Sequence, residues 1–264
     1  MRSADASRRT SNLRDGQSEM FPVRIGTIFP EYPIGKDLAF VCQGHDGHTY
    51  YAKSDKDGRS IRATEWICTN LASQLGLSVA ESVVLEDNDG ETFFGSRRPC
   101  SLADDFRCEH YVRTCGATDE LGRPSGWLGQ YLAKLWAFDH FVDNPDRILR
   151  NFLLEGSGRL CAIDFASARF VQAPDTKFPI ASESTTIVGK FIRSIHGAHK
   201  DSAFELLDWV GAIAPSTVEG IVRAMPEGWL TEDQMGAVIE VWSNGQTKQR
   251  VTSVKALIQH DWDV

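Results

Sequence analysis

The stretch from Asp143 to Phe165 constrains the fold of this chain more than any other part of the sequence. It reads Asp-Asn-Pro-Asp-Arg-Ile-Leu-Arg-Asn-Phe-Leu-Leu, then a short polar turn, then Leu-Cys-Ala-Ile-Asp-Phe. Two apolar runs, 152–154 and 160–163, flank the segment Glu155–Arg159, whose glycine and serine content is typical of a tight turn. The sequence therefore predicts a loop followed by a β-hairpin.

The predicted hairpin brings polar residues together. With Ser157 and Gly158 as a two-residue loop, the ladder places Asn151 opposite Asp164. Directly opposed residues have Cα atoms roughly 4.5–5.5 Å apart, close enough to share one metal ion. Asp146 stays in the preceding loop, so the segment offers a base for a hydroxyl and two oxygen ligands for magnesium, as phosphoryl transfer from ATP requires. The alternative is an ordinary surface loop and hairpin that ends in a solvated aspartate.

A buried helix is predicted immediately before this loop. Between Gly126 and Val142 the apolar side chains recur at helical spacing, and further aromatic residues make the segment apolar nearly all round. A helix without a polar face belongs in a core. Pro145 marks the end of the helix, because the residue before a proline avoids helical torsion angles.

The upstream sequence supplies a lysine and a glutamate. The run His48–Lys53 is aromatic and β-branched, as in a strand, and ends in the lysine. After the turn Asp55–Gly58, an apolar stripe predicts a helix from about Ile61 to Leu75, with Glu65 at the edge of that stripe. An ion pair between the lysine and this glutamate would orient the ammonium group toward nucleotide phosphates. Taken singly, a lysine at a strand end and a glutamate on a helix are common surface residues.

Together these segments resemble the HipA-like serine/threonine kinases, in the compact form that lacks an extra N-terminal subdomain. The resemblance covers roughly residues 25 to 170. The C-terminal third matches only in its general helical character. The Asp-x4-Asn pattern with a later Asp is shared with phosphatidylinositol-kinase-like enzymes and small-molecule phosphotransferases, so it indicates the kinase superfold more than a substrate. The segments that carry the resemblance are Tyr51–Lys53, Thr64–Trp66, Leu71–Ala72, Leu75–Leu77, Phe94–Arg97, Asp146–Phe152 and Ile163–Phe165.

The resemblance implies roles for the central residues, with ATP and Mg²⁺ as cofactors. Asp146 would be the catalytic base, and Asn151 and Asp164 would bind magnesium. Lys53 would hold the phosphates of ATP, with Glu65 as its partner. Two departures are Ile148, where many relatives have a histidine, and Ala166, where the Asp-Phe pair is followed by alanine instead of glycine. Neither departure removes a metal ligand.

Two further groups of residues are expected at the nucleotide. In the loop between the first two strands, Gly35 and Lys36 would touch the phosphates, although a loop with a single glycine matches a backbone phosphate cradle weakly. At the strand that leads into the hinge between lobes, Phe94, Gly95 and Ser96 would lie against the adenine.

The implied fold class is α+β, a bilobal protein-kinase-like fold with a small β-rich N-lobe and a larger, mainly helical C-lobe. We expect residues 1–20 to be a disordered tail, residues 21–98 the N-lobe and residues 99–264 the C-lobe. In the last third, Ser216–Glu219 has the form of a capping box, Thr231 that of an N-cap, and Asn244-Gly245 that of a helix end. The predicted helices there are about Thr185–His196, Ser202–Ile213, Ser216–Ala224, Thr231–Ser243 and Gln246–His260.

By resemblance, the protein would phosphorylate a serine or threonine of a protein substrate. It would act as a bacterial toxin or as a growth-control or defence kinase, restrained by a small inhibitory, antitoxin-like protein. Two alternatives stay open: a small-molecule or lipid phosphotransferase with the same core, and a nucleotide-binding pseudokinase that acts as a scaffold.

Composition limits the other possibilities. The net charge of −8 argues against direct binding of nucleic acid, and no apolar stretch is long enough for a membrane span. Six cysteines lack paired spacing, and Cys68 and Cys161 fall in apolar segments, as reduced core cysteines do. We therefore expect a cytoplasmic protein.

Overall fold

The computed structural model describes residues 21–30, 37–115, 126–171 and 186–262. Its fold mixes strands, most of them before residue 98, with helices, most of them after it. The strands are β1 (Val23–Phe29), β2 (Phe40–Gly44), β3 (Thr49–Lys53), β4 (Ser82–Glu86), β5 (Thr92–Arg97), β6 (Phe152–Leu154) and β7 (Leu160–Ala162). The helices are α1 (Ile61–Gln74), α2 (Asp105–His110), α3 (Gly126–Val142), α4 (Thr186–Phe191), α5 (Lys200–Ala212), α6 (Pro215–Arg223), α7 (Glu232–Ser243) and α8 (Gln246–Trp262).

The first five strands form a closed barrel in the order β1-β2-β3-β5-β4. Neighbouring strands are antiparallel except at the closure, where β1 runs parallel to β4 and Val23 pairs with Leu85. Successive side chains alternate between the two faces of each strand. Phe94 joins the main core together with α1, whereas the barrel encloses a small core of its own. That inner core consists of Ile25, Cys42, Tyr50, Ala52, Leu85 and Phe93.

Strands β6 and β7 form the predicted hairpin, but the predicted register is wrong by one residue. Phe152 pairs with Ala162, and the N–H of Glu155 donates to the carbonyl of Arg159 at 2.9 Å. The loop therefore has three residues instead of two, and its last residue, Gly158, has a φ of +84°. Glycine adopts this left-handed conformation without steric cost, which favours the longer loop. Asn151 consequently lies opposite Ile163 and not Asp164.

Helix α3 has the predicted bounds and is the central helix of the larger core. Most of its side chains are buried, and it packs against α5 and α8. The chain leaves the helix through Asp143, which has a φ of +52°, and the N–H of Asn144 donates back to the carbonyl of Asp139 at 2.8 Å. This turn directs the chain from the core helix into the loop that contains Asp146.

The C-terminal helices lie close to their predicted positions, although one predicted cap is wrong. Helix α6 begins at Pro215 after Ala214, so Ser216 lies inside the first turn and forms no cap. Thr231 caps α7 as expected, and Gln234 completes a capping box with it. Asn244 closes α7, and Gly245 follows with a φ of +82°. Proline at the first helical position displaced the predicted cap, because its missing N–H costs nothing there.

Within the described ranges, no helix is long and apolar enough to cross a membrane. Cys68 and Cys161 are buried and carry free thiols, as expected for core cysteines.

Candidate active site

One lysine joins two carboxylates that are far apart in the sequence. The Nζ of Lys53 lies 2.5 Å from Oε1 of Glu65 and 2.6 Å from Oδ1 of Asp164. The side chains of Lys53 and Glu65 are 10% and 2% exposed, whereas that of Asp164 is 35% exposed. The cluster is thus closed on the side of α1 and open to solvent on the side of Asp164.

Secondary structure positions each member of this cluster. Lys53 is the last residue of β3 and pairs with Phe94 of β5, and Glu65 lies in the second turn of α1. The ion pair predicted between Lys53 and Glu65 forms across this strand and helix. Oε1 of Glu65 also accepts the N–H of Phe165 at 3.0 Å. Glu65 therefore fixes both the strand lysine and the backbone immediately after Asp164.

The three charged side chains shift one another's pKa values. Burial by itself would lower the pKa of the Lys53 ammonium, but attraction to Glu65 and Asp164 outweighs it and raises that pKa. Burial raises the pKa of Glu65, against the opposing effect of Lys53. For the half-open Asp164, attraction to Lys53 outweighs burial and lowers the pKa. The lysine is therefore held as a cation and Asp164 as an anion at neutral pH.

The backbone at Asp164 decides where its carboxylate points. Asp164 has a φ of +66°, in the left-handed region that few non-glycine residues occupy. The ladder of the hairpin has already ended at Ala162, and this turn takes the chain out of the sheet. Asp164 therefore contacts Lys53 from this turn, outside the ladder in which the sequence predicts it opposite Asn151. Such strained positions persist where surrounding contacts enforce them, and they cluster at functional sites.

Asn151 and Asp146 are linked through the backbone of their loop. Asn151 is buried, and its Nδ2 donates to the carbonyl of Asp146 at 2.6 Å. This bond fixes the amide, so that Oδ1 is the atom of Asn151 suited to a cation. Asp146 itself is exposed in the loop before the hairpin. Asp146, the predicted catalytic base, thus lies on the solvent side of the loop. Asn151, which the hydrogen bond links to it, offers Oδ1 as a possible metal ligand.

A buried ion pair that the sequence analysis missed supports this loop. Arg147 and Asp139 are 1% and 0% exposed, and the guanidinium donates from Nε and Nη2 to the two carboxylate oxygens at 2.9 and 3.0 Å. Nη1 of Arg147 also donates to the carbonyls of Asn151 and Ile163. Asn144 donates to the same carboxylate at 2.9 Å. Arg147 therefore connects the core helix, the loop of Asp146 and the strand that leads to Asp164.

A small apolar cluster lies next to the charged cluster. Ala80, Leu153 and Cys161 are buried together, and Tyr51, Leu102 and Ile163 pack against them. Tyr51 lies two residues before Lys53 on the same face of β3, and Ile163 directly precedes Asp164. The arrangement places an apolar surface beside a group of charged residues, as binding sites for small molecules usually require.

Comparison with known proteins gives a family match for part of the chain. A model of the HipA-like kinase family matches residues 25–103, which include Lys53 and Glu65. The predicted resemblance to HipA-like kinases is confirmed. The family match does not extend to Asp146, Asn151 and Asp164, which are placed by the geometry described above.

The chain also resembles solved structures. The proinflammatory kinase CtkA of Helicobacter pylori superposes with a TM-score of 0.57 at 12% identity, over 88% of this chain and 98% of CtkA. HipA of Shewanella oneidensis MR-1, solved with HipB and operator DNA, gives 0.41 at 14% identity, over 81% of this chain and 58% of that one. An aminoglycoside phosphotransferase of Alicyclobacillus acidocaldarius gives 0.33 at 12% identity, over 92% and 95%. A search of curated proteins found no match. The family match and the kinase-like fold support a phosphotransferase.

The remaining candidate residues, those expected at the adenine and in the phosphate loop, are placed as follows. Phe94, Gly95 and Ser96 lie in the middle of β5, paired with β3 on one side and β4 on the other. Their main-chain groups are thus used within the sheet, and contacts to adenine would fall after Arg97. Gly35 and Lys36 lie outside the described residues.

Proposed function

We propose that this protein is a bilobal HipA-like kinase that transfers the γ-phosphate of ATP to a serine or threonine of a protein. Residues 21–98 would form the N-lobe and residues 99–264 the C-lobe. The observation that carries the proposal is the contact of Lys53 with both Glu65 and Asp164. A lysine fixed by a helix glutamate, next to a half-open aspartate, suits the binding of nucleotide phosphates.

In the proposed mechanism the chain acts by positioning and electrostatics. Lys53 binds phosphate oxygens. Asp146 accepts a hydrogen bond from the attacking hydroxyl and takes up its proton as the new oxygen–phosphorus bond forms. The bond from the γ-phosphorus to the bridging oxygen breaks at the same time, and ADP leaves with that oxygen. Arg147 acts indirectly. Its hydrogen bonds to Asp139 and to the hairpin backbone hold the loop of Asp146 in place.

Asn151 and Asp164 are the residues that would hold Mg²⁺. Both offer the hard oxygen ligands that this ion prefers, and the amide of Asn151 is fixed with Oδ1 as its remaining ligand atom. The ion would neutralise charge that develops on the phosphates. In the part of the chain that the structure describes, no group of three or more His, Cys, Asp or Glu side chains could hold a metal. Phosphate oxygens and water would therefore complete the coordination shell.

The apolar cluster would receive the adenine. Tyr51 lies on the sheet side of this cluster, two residues before Lys53, and Leu153 lies on the hairpin side, two residues after Asn151. The segment after Arg97 would supply the main-chain hydrogen bonds. This assignment extends the proposed site from the phosphates to the adenine. It does not use the residues of β5 whose main-chain groups are paired within the sheet.

Intact-protein mass spectrometry after incubation with ATP and Mg²⁺ tests the proposed function. We expect the wild-type protein, given a mixture of acceptor proteins, to add whole phosphate units to itself or to an acceptor. Asp146→Ala should lower the rate by about 10²–10⁴-fold, because it removes the base. Asp105→Ala, an exposed aspartate on α2, is the matched control and should leave the rate unchanged.

Three outcomes contradict the proposal in different ways. Gain of adenylyl units would mean that the nucleotide binds in reverse. Consumption of ATP only with an added non-protein acceptor would indicate a small-molecule or lipid phosphotransferase. Stabilisation by ATP without any turnover would indicate a pseudokinase scaffold.

The family resemblance also supports a proposal about the role of this protein in the cell. We propose that the kinase restrains growth or acts in defence, and that a small antitoxin-like protein restrains it. The net charge of −8 favours a protein partner over direct contact with nucleic acid. Expression in a bacterial host should arrest growth for the wild type and not for Asp146→Ala at equal protein level.

A further inference from the structure

A cavity of about 670 Å³ lies on the side of the chain where β5 leads into α2. Its walls come from the second half of α1 (Thr69–Ser73), the start of β4 (Ser82), the segment Arg97–Ser101 and the turn of the hairpin (Glu155–Arg159). The cavity shares Ala80 and Cys161 with the apolar cluster described above, whereas Lys53, Glu65, Asp146, Asn151 and Asp164 are not among its described lining residues. A volume of this size suits a small organic molecule.

The walls of this cavity are rich in hydrogen-bonding groups. Hydroxyl and amide side chains come from the helix, the strands and the hairpin turn, so donors and acceptors surround the space from several directions. They are Thr69, Asn70, Ser73, Ser82, Ser101 and Ser157. The ligand that such walls fit is polar and not a hydrocarbon.

Two of the three arginines at the cavity already have carboxylate partners. Nη1 of Arg97 lies 2.6 Å from Glu81, and Nη1 of Arg159 lies 3.6 Å from Glu155. Both glutamates line the same cavity, so these pairs are locally neutral. The remaining cation at the wall is Arg98.

Arg98 differs from its neighbours because its Nε is buried without an acceptor anywhere in the described ranges. No ion pair to a described carboxylate is found for its guanidinium either. Its main-chain N–H donates to the carbonyl of Thr49 at 2.8 Å, which fixes the backbone from which the side chain extends. A buried donor is almost always satisfied in native proteins, by protein, water or ligand. Arg98 lines the cavity, and an anionic oxygen there would pair with its guanidinium and balance its charge.

We infer that the cavity is a second ligand site, for a small molecule that carries a phosphate or carboxylate group, with Arg98 as its main charged contact. The paired arginines and the surrounding hydroxyl groups would bind the rest of the ligand. This site is separate from the cluster around Lys53, and its existence does not depend on phosphotransfer.

The position of the cavity also suggests a consequence, which rests on the proposed function. Thr69 lies one turn after Glu65 on α1, and Cys161 lies three residues before Asp164. A ligand that contacts both walls would hold α1 against the hairpin. It would favour the arrangement in which Lys53 contacts both carboxylates, so that ligand and nucleotide would strengthen each other's binding.

Thermal unfolding with two probe anions, inorganic phosphate and malonate, tests the binding site. At constant ionic strength maintained with chloride, we expect a saturable rise in Tm for the wild-type protein with at least one of the two probes. The preferred probe distinguishes a phosphate ligand from a carboxylate ligand. Arg98→Gln should weaken the apparent affinity by about tenfold or more, since a charge-assisted contact is lost. Arg107→Gln, an exposed arginine on α2, is the matched control and should bind as the wild type does.

Two more variants separate the possible explanations. Lys53→Met removes the phosphate-binding residue of the candidate active site and should keep the anion-dependent rise in Tm. Ser73→Trp fills the mouth of the cavity from an exposed position on α1 and should abolish the rise, which decides the question if Arg98→Gln does not fold. Loss of the effect in Lys53→Met with retention in Arg98→Gln and Ser73→Trp would overturn the proposal. Equal stabilisation of all variants, or of none, would also overturn it.

Discussion

At the scale of single residues, the candidate site depends on shared partners. One ammonium group, that of Lys53, serves two carboxylates, and one carboxylate, that of Asp139, serves Arg147 and Asn144. Each of these residues is common in proteins, and only its buried partners give it a defined position. Removal of a shared group, Lys53 or Asp139, therefore leaves a charged partner without compensation.

Glu65→Gln tests the partner of the lysine. The change keeps the shape of the side chain but removes the charge that orients Lys53, so we expect phosphotransfer to fall by about 10- to 100-fold, the worth of one charge-assisted contact. Steady-state turnover of ATP measures the effect. Glu205→Gln, in a pair of which the glutamate is half-exposed, should change turnover little. Equal rates for both variants would remove Glu65 from the mechanism.

Asp139→Ala tests the buried pair beneath the loop. It leaves the guanidinium of Arg147 uncompensated in the core, which should lower the free energy of unfolding by about 3–5 kcal/mol. Urea unfolding measures the loss. The exposed pair of Arg113 and Glu109 offers a control, because Glu109→Ala should cost less than about 1 kcal/mol. A cost for Asp139→Ala as small as for the control would mean that the pair does not support the loop.

At the scale of elements, close packing around β5 limits substitution more than its sequence indicates. Gly95 lies between β3 and β4, and a Cβ added to it would come within 2.7 Å of side-chain atoms of Leu85 and Val83. Gly236 lies in α7 with no atom within 4 Å of such a Cβ. The same substitution should therefore have opposite effects in the strand and in the helix.

We expect Gly95→Ala to lower the free energy of unfolding by about 1–3 kcal/mol through overpacking of the barrel. Gly236→Ala should raise it by about 0.5–1 kcal/mol, because glycine is a poor helix former and nothing opposes the new methyl group. Chemical denaturation of the two variants beside the wild type measures both values. A stabilising Gly95→Ala would show that the barrel has room that the structure does not predict.

At the scale of the whole molecule, two tryptophans tie the β-rich part to the helical part. Nε1 of Trp66 in α1 donates to the carbonyl of Ile221 in α6 at 2.9 Å, and Nε1 of Trp229 donates to Thr92 of β5 at 2.9 Å. The two indole rings also meet edge to face, with centroids 6.2 Å apart. The larger hydrophobic core likewise includes residues of α1 and of the C-terminal helices. We therefore expect the chain to unfold in one cooperative transition.

Trp229→Ala tests this connection. It should lower the free energy of unfolding by about 3–5 kcal/mol, since a buried indole and its hydrogen bond are both lost. Circular dichroism and tryptophan fluorescence during denaturation check the size of the effect and whether one transition remains. Trp209→Ala, at an exposed tryptophan on α5, is the control and should cost about 1 kcal/mol or less. Two separate transitions in the wild type would contradict a shared core.

The sequence predicted the features that depend on neighbours along the chain. Helical periodicity located α3 at its observed bounds, and Thr231 capped α7 because a cap needs only the next three residues. Apolar runs around a glycine-rich turn predicted the hairpin of Asn151 and Asp164. The pairing of Lys53 with Glu65 also followed from local patterns, since a strand and the next helix along the chain commonly pack together.

Only the tertiary structure decided how these elements meet. The register of the hairpin shifted by one residue because Gly158 allowed a longer loop, and the positive φ of Asp164 then directed its carboxylate to Lys53. The burial of Arg147 against Asp139 is invisible in the sequence, where both look like surface charges. The cavity beside Arg98 likewise exists only where α1, β5 and the hairpin turn come together. Local propensity specifies single elements, whereas contacts between residues far apart in the chain set their register, burial and charge partners.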